Sequence, residues 1–320
     1  MKYKKRALII CILLIMLLCA ACGNNSKEGV LAEVDGHLIL EEDFDREFEI
    51  KRKIYVSQYG EDFLKQELEE GLTIEEFLKE ELLFEIIHEH ILSKELDKLN
   101  MAVTQEDIDE YIQNNYINRL GGEENYDDYL DSLGVSSGDF RKIIARELMY
   151  ERHSQHFYEQ IDLSEDEVRD YYEKNKDVFI KVRASHILVK TEEEGREVLR
   201  RLQAGEDFAS LAAIMSIDTN SAVKGGDLGY FTKGSMAEQY KEIEEAAFSL
   251  KEGEVSNLIK TDFGYHIVLI EDRVDSFEDL KEEAEKALKN KKYYEELNRL
   301  MEKANVKVYM DLRENKSNLP

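Results

Sequence analysis

Apolar residues recur along this chain with two different periods, and the change from one to the other divides it. Near the start, VLAEVDGHLIL gives two short apolar runs around Asp35-Gly36, which predicts two strands joined by a tight turn. From there to about residue 178 the spacing is that of helices. Ile74, Phe77, Leu78, Leu82 and Ile86 form one stripe of a helix running to about Leu96, opened by Thr73 and Glu76 as a capping box. Further helices are predicted over 104–118, 126–133 and 138–160, and Ser164 with Glu167 caps another. At Ile180 the texture changes. Strands are predicted at 181–189, 254–260 and 264–272, helices at 192–203, 206–215 and 237–249, and a glycine-rich turn at KGGDLGYF. Past Ser276 a long charged helix extends to about Ala304, and VKVYM reads as a final strand. That helix has no partner beside it in the sequence. It is expected to pack back on the earlier helices, which would make the α+β unit an insertion in a helical domain.

The first residues follow neither pattern. Lys2, Lys4, Lys5 and Arg6 precede an apolar run from Ala7 to Leu18, and CAAC follows, as in a secretory signal. The run is shorter than the roughly 20 residues that span a bilayer. With Ala20 and Ala21 before Cys22, the segment resembles a bacterial lipoprotein signal, although Cys19 stands where that pattern prefers leucine. The resemblance implies cleavage after residue 21 and diacylation of Cys22, and two acyl chains suffice for stable anchoring. Residues 22–29 would then be a tether, and the protein would sit on the extracytoplasmic face of the cell membrane. Only three cysteines exist, at 11, 19 and 22, so a cleaved product has no cysteine pair for a disulfide and no cysteine nucleophile.

Charge narrows the partners. Of 43 Lys and Arg, four lie in the signal, leaving 39 against 70 Asp and Glu. So acidic a surface repels nucleic acid, and no basic, aromatic-rich stretch argues otherwise. Pro320 is the only proline, so nothing in this chain's own folding waits on proline isomerisation.

The alternation after residue 180 holds an anomaly. Val182, Ala184, His186 and Leu188 share one side of a strand, and Gly264, His266, Val268 and Ile270 share one side of another. Each aliphatic face carries an imidazole. Around these strands, ASHILVK, SIDTNSAVKGGDLGYFTKGSM and EEAAFSLKEGEVSNLIKTDFGYHIVLI occur in the order and at the spacing of the parvulin family of peptidyl-prolyl cis/trans isomerases, which residues 181–272 resemble throughout. With the lipoprotein signal and the helical flanks, the whole chain resembles extracytoplasmic foldase lipoproteins of the PrsA type.

That resemblance implies an α+β fold, a parvulin-like four-stranded antiparallel sheet with helices, inserted in an all-helical chaperone-like domain. Its boundaries would be 30–178 for the helical part, 179–273 for the isomerase and 274–320 for a C-terminal helix returning to the first. It implies catalytic roles for His186, Asp218, Thr261 and His266, and a proline-ring pocket of Leu228, Met236 and Tyr240, the last replacing the family's usual phenylalanine. Where phospho-specific parvulins carry a basic loop this chain has TEEEG, so phosphoserine recognition is not implied. The implied partners are unfolded or newly exported polypeptides with X-Pro bonds, with a homodimer left open; no cofactor and no metal is called for. Holding clients without catalysis, on a parvulin scaffold, is the competing function.

Chemistry agrees with so small a site. Isomerisation breaks no bond, and moving from tens of seconds to milliseconds takes a factor of about 10³–10⁵, or ~4–7 kcal/mol. Two or three preorganised interactions can supply this, at ~3–4 kcal/mol for one well-aimed donor. Other motifs fall short. GGDLG lacks the context of a phosphate loop, His153 and His156 with Glu159 offer no further ligand, and His88 and His90 point apart on their helix.

Overall fold

The computed structural model describes residues 28–69 and 71–309; the expected signal peptide, Cys22, most of its tether and Pro320 lie outside the described residues. The described residues divide into two compact units, Leu163–Asn290 and the others. In the remainder, β1 (Val30–Val34) and β2 (His37–Leu40) form a hairpin whose turn, Asp35 and Gly36, takes positive φ at both positions, 52° and 88°. A two-residue turn of this kind matches the twist of the strands it joins. A smaller pair, β3 (Glu67–Glu69) and β4 (Leu72–Thr73), leads into the helix Ile74–Lys98. That helix starts where the sequence puts it, since Thr73 Oγ1 accepts from Glu76 N at 3.2 Å and the Glu76 carboxylate accepts from Thr73 N at 2.8 Å.

The Leu163–Asn290 unit is built on four antiparallel strands, β5 (Lys181–Val189), β6 (Asp227–Thr232), β7 (Ile259–Thr261) and β8 (Gly264–Val274), in the order β6-β5-β8-β7. The expected α+β class and four-stranded sheet are present. Because β5 and β8 are central, both of their faces are covered, which is why they read as nearly continuous apolar runs. On one face Val182, Ala184, Val268 and Ile270 pack with Ile243 and Ala247 of the helix Lys241–Ser249. On the other, Ile187, Val189 and Ile267 pack with Val198 of Glu192–Gln203 and Leu211 of Phe208–Met215.

The helix Phe277–Lys303 contributes to both units. Phe277, Leu280, Ala284 and Leu288 pack with Val168, Tyr172 and Phe179, whereas Tyr293, Leu297, Leu300 and Met301 join the core of Phe44, Leu78, Leu82 and Leu92. After it β9 (Val306–Val308) pairs with β1, setting Ala32 opposite Val308. The sequence reading put boundaries at 178/179 and 273/274, beside the sheet. The compact units change at 162/163 and 290/291, because the helix Glu165–Lys174 and the first half of Phe277–Lys303 share a core.

Two local readings need correction. KGGDLGYF is a turn only as far as Gly226, and Asp227 begins the edge strand β6. The strand expected at 254–260 is a strand only from Ile259. Before it, Ser256 N still donates to Val268 O at 2.8 Å, but the Ser256 hydroxyl, not a backbone carbonyl, accepts from Val268 N at 2.9 Å.

Gly226 brings a turn close against strand β5. His186 N donates to Gly226 O at 2.9 Å, and a Cβ on Gly226 would lie 2.4 Å from His186 O. Gly205 has the same φ of +91° with nothing within 4 Å of its would-be Cβ, which makes it a matched control. Gly205→Ala is expected to cost about 1 kcal/mol for the left-handed backbone. Gly226→Ala is expected to cost at least about 2 kcal/mol more, from the clash with strand backbone. Calorimetric melting of the two variants decides it; equal losses would show that β5 gives way freely.

Candidate active site

The two strand histidines meet because of register. His186 stands opposite Val268 and Leu188 opposite His266, so the rings lie diagonally on one face of adjacent strands. Their centroids are 5.4 Å apart and their planes 23° from parallel. Both are buried, His266 completely. The rings meet through Nδ1, at 3.2 Å. At one end His266 Nε2 is 2.8 Å from Thr261 Oγ1, and at the other His186 Nε2 is 2.8 Å from Asp218 Oδ2. All four residues expected to be catalytic therefore lie on one line of hydrogen bonds.

Each end is held by a local device. Asp218 is the N-cap of the short helix Thr219–Ala222, its Oδ1 accepting from Asn220 N at 3.2 Å. Thr261 ends β7, and its oxygen also accepts from Phe263 N at 3.2 Å across the turn into β8. Gly264 in that turn has φ +140°, and a Cβ there would meet Val189 O at 2.3 Å.

With both rings neutral, the direction of every bond is assigned by the two ends. An ionised Asp218 only accepts, so His186 Nε2 carries the proton and His186 Nδ1 is bare. His266 Nδ1–H then donates to it, which leaves His266 Nε2 to accept from the Thr261 hydroxyl. Electrostatics favour a neutral His266 and an ionised Asp218. Burial, reinforced by the neighbouring His186, pushes His266 from the usual 6.5 down to about 4. Burial works to raise Asp218, but donors from Ser221 and His186 outweigh it and hold the carboxyl below its usual range.

Beside this line lies an apolar surface. Met236 and Tyr240 pack against the Ile243–Val268 core, and Met236 N is fixed by a 3.0 Å bond to the buried carboxylate of Glu244. Leu228 sits half-buried on β6. Sequence reasoning missed two neighbours. Phe263 is 45% exposed and stacks on Tyr240 at 5.4 Å, joining the apolar surface to the Thr261 end of the line. Ser221 is buried and its hydroxyl bonds both Asp218 and His186. Its place three residues after an N-capping aspartate was the available signal.

Outside this site, His88 and His90 each bury a ring Nε2 that has no hydrogen-bond partner among the described residues. His153 Nδ1 is 3.1 Å from the Tyr293 hydroxyl, His88 meets the ring of Phe84 edge-on, and His90 stacks on His37. TEEEG opens a helix, with Glu194 accepting from Lys190 N and Thr191 N.

Comparison with known proteins finds two family models, a PPIC-type PPIase domain over residues 171–274 and a SurA-like N-terminal domain over residues 1–154. The Foldase protein PrsA of Halalkalibacterium halodurans is 34% identical over 99% of this chain and 89% of its own length. That of Geobacillus sp. (strain WCH70) is 33% identical over 85% of this chain and 83% of its own length. Among solved structures, PrsA from Bacillus cereus is 26% identical over 88% of this chain and 95% of that one, with a TM-score of 0.39. NmPin, the parvuline of Nitrosopumilus maritimus, is 49% identical over 28% of this chain and 94% of that one, with a TM-score of 0.26.

The depressed His266 value makes stability depend on pH. Between about pH 4 and 6.5 the unfolded chain binds a proton that the folded chain refuses, so stability is lost as pH falls through that window. The loss from this group is expected to reach about 3 kcal/mol near pH 4. An NMR titration of the His266 ring in the folded protein should give a midpoint near 4; a midpoint near 6.5 would contradict a neutral His266.

Proposed function

The chain belongs to the PrsA foldase family and is a peptidyl-prolyl isomerase, and from that premise we propose that it turns X-Pro bonds of exported polypeptides at the Asp218–His186–His266–Thr261 line. One observation carries this reading. A buried, internally satisfied histidine pair ends in a carboxylate whose side chain is 25% exposed. The hydrogen-bonding capacity of the pair is spent within the protein, so its role is to hold Asp218 at a fixed place and charge. Amide resonance puts positive charge on nitrogen and negative charge on oxygen. A fixed carboxylate facing the carbonyl oxygen opposes that separation, and so favours the twisted amide over the planar one. Met236, Tyr240, Phe263 and Leu228 hold the proline ring and exclude water, which weakens the polar ground state further.

The helical unit supplies a place for the rest of the client. A cleft of about 330 Å³ opens between β2 and three helices, with Leu38 and Leu40, each about 40% exposed, beside Ile50, Ile86 and Met149. Apolar side chains bordered by charge suit an extended, unfolded segment. Cys22 carries the lipid anchor that keeps the enzyme on the outer face of the membrane. Among the described residues no helix is long and apolar enough to cross it.

Asp218→Ala should lower kcat/KM on an unphosphorylated Xaa-Pro peptide by about a hundredfold, since one well-aimed electrostatic group is worth ~3 kcal/mol. Met236→Ala should act mainly on KM. A protease-coupled assay reads both, and an Asp218→Ala enzyme of normal turnover would leave the parvulin unit a scaffold for holding. Cys22→Ser should abolish incorporation of labelled fatty acid and release the protein from the membrane fraction. Retention of the unlabelled variant on the membrane would contradict the anchor.

A further inference from the structure

We infer that Ser221 is a positioning residue for isomerisation, its hydroxyl locking the Asp218 carboxylate against His186 so that one oxygen position is left for the client. The inference rests on the reading of Asp218 and His186 as the reacting end of the site.

Ser221 is 5% exposed. It sits in the last turn of Thr219–Ala222, three residues after the capping Asp218, where a serine hydroxyl ordinarily bonds back to a main-chain carbonyl. Here that carbonyl is 3.5 Å away, at the limit of a bond. The hydroxyl instead donates to Asp218 Oδ2 at 2.5 Å and lies 3.0 Å from His186 Nε2. The Nε2 proton is thus shared between the carboxylate, 2.8 Å away, and the serine oxygen.

The backbone of Ser221 is fixed as firmly as its side chain. Its carbonyl accepts from Lys224 N and Gly226 N, both at 2.8 Å, and Gly226 O accepts from His186 N at 2.9 Å. Serine, glycine turn and strand histidine therefore form one closed set of bonds. The hydroxyl cannot swing away without leaving a buried polar group unpaired.

The consequence is a count of acceptor positions. An ionised carboxylate offers about four. Oδ2 is filled by His186 and Ser221, and Oδ1 takes Asn220 N at 3.2 Å. Among the described residues one Oδ1 lone pair is left unpaired, the one free to act on the client's carbonyl oxygen. Without the serine donor the carboxylate can turn about its own bond, and the open position no longer has a fixed direction. Loss of the donor also makes the carboxylate easier to protonate. The titratable groups facing Asp218 are His186 on β5 and, behind it, His266 on β8.

The test uses the soluble full chain from residue 23, with Ser221→Ala, Ser221→Thr and Asp218→Ala assayed on one Xaa-Pro peptide across pH 4 to 8. Ser221→Ala is expected to lower kcat about tenfold at unchanged KM, because the ring pocket is untouched. The pH midpoint of its acid limb should also rise by about one unit, and Ser221→Thr should restore both. A Ser221→Ala enzyme of wild-type kcat and pH profile, beside an inactive Asp218→Ala, overturns the inference alone. Equal proportional loss at every pH together with a lower melting temperature also overturns it, as a purely structural effect. Wild-type activity in Asp218→Ala removes the underlying site and the inference with it. Should the threonine variant misfold, the acid-limb shift in Ser221→Ala still decides.

Discussion

A buried ring nitrogen without a partner costs about 1–3 kcal/mol, and this sheet buries four of them between its central strands. The Nδ1–Nδ1 contact of His186 with His266 satisfies two. Satisfying the outer two demands a hydroxyl at the end of β7 and a carboxylate beyond β5. The site follows from that demand. Thr261 and Asp218 must reach the rings, so the chain has to turn tightly at both ends. Gly264 and Gly226 let backbone approach backbone where a Cβ would collide. Stability and the placing of the carboxylate are one arrangement seen from two sides.

The same arrangement sets the electrical character of the site. His266 stays uncharged at neutral pH because burial disfavours its imidazolium and holds it near 4. Asp218 stays charged because donors outweigh its partial burial. A single negative group is thus presented from a neutral, apolar surround. In a chain with 70 acidic residues, what distinguishes this carboxylate is that its neighbours hold it still. Most of the others sit on solvated faces where ion pairs contribute little.

The helical unit solves a different problem. It draws its core from chain segments far apart in sequence, the β1–β2 hairpin, the helix Ile74–Lys98 and the end of Phe277–Lys303. Ion pairs from Arg146 to Glu47 and Glu89, with the arginine only 13% exposed, tie three helices together. Removing a carboxylate from this set leaves the nearly buried Arg146 charge less well compensated. β9 pairs with β1 and closes the unit, so the two ends of the described chain lie in one sheet.

Much of this was legible from local pattern. Thr73 and Glu76, Ser164 and Glu167, and the Asp35-Gly36 turn are short-range devices, complete within a few residues, and each forms where the sequence puts it. The two histidines announced themselves as polar residues on aliphatic faces, and the resemblance supplied Asp218 and Thr261. What the sequence could not decide was pairing. Whether His186 meets His266 depends on the register of two strands about eighty residues apart. A shift of one residue would turn one ring to the opposite face. Ser221 and Phe263 were invisible for the same reason, since each matters through a neighbour that only folding brings near. The division of Phe277–Lys303 between two cores was hidden too. A continuous helical stripe records which face is buried, and only the tertiary structure says against what.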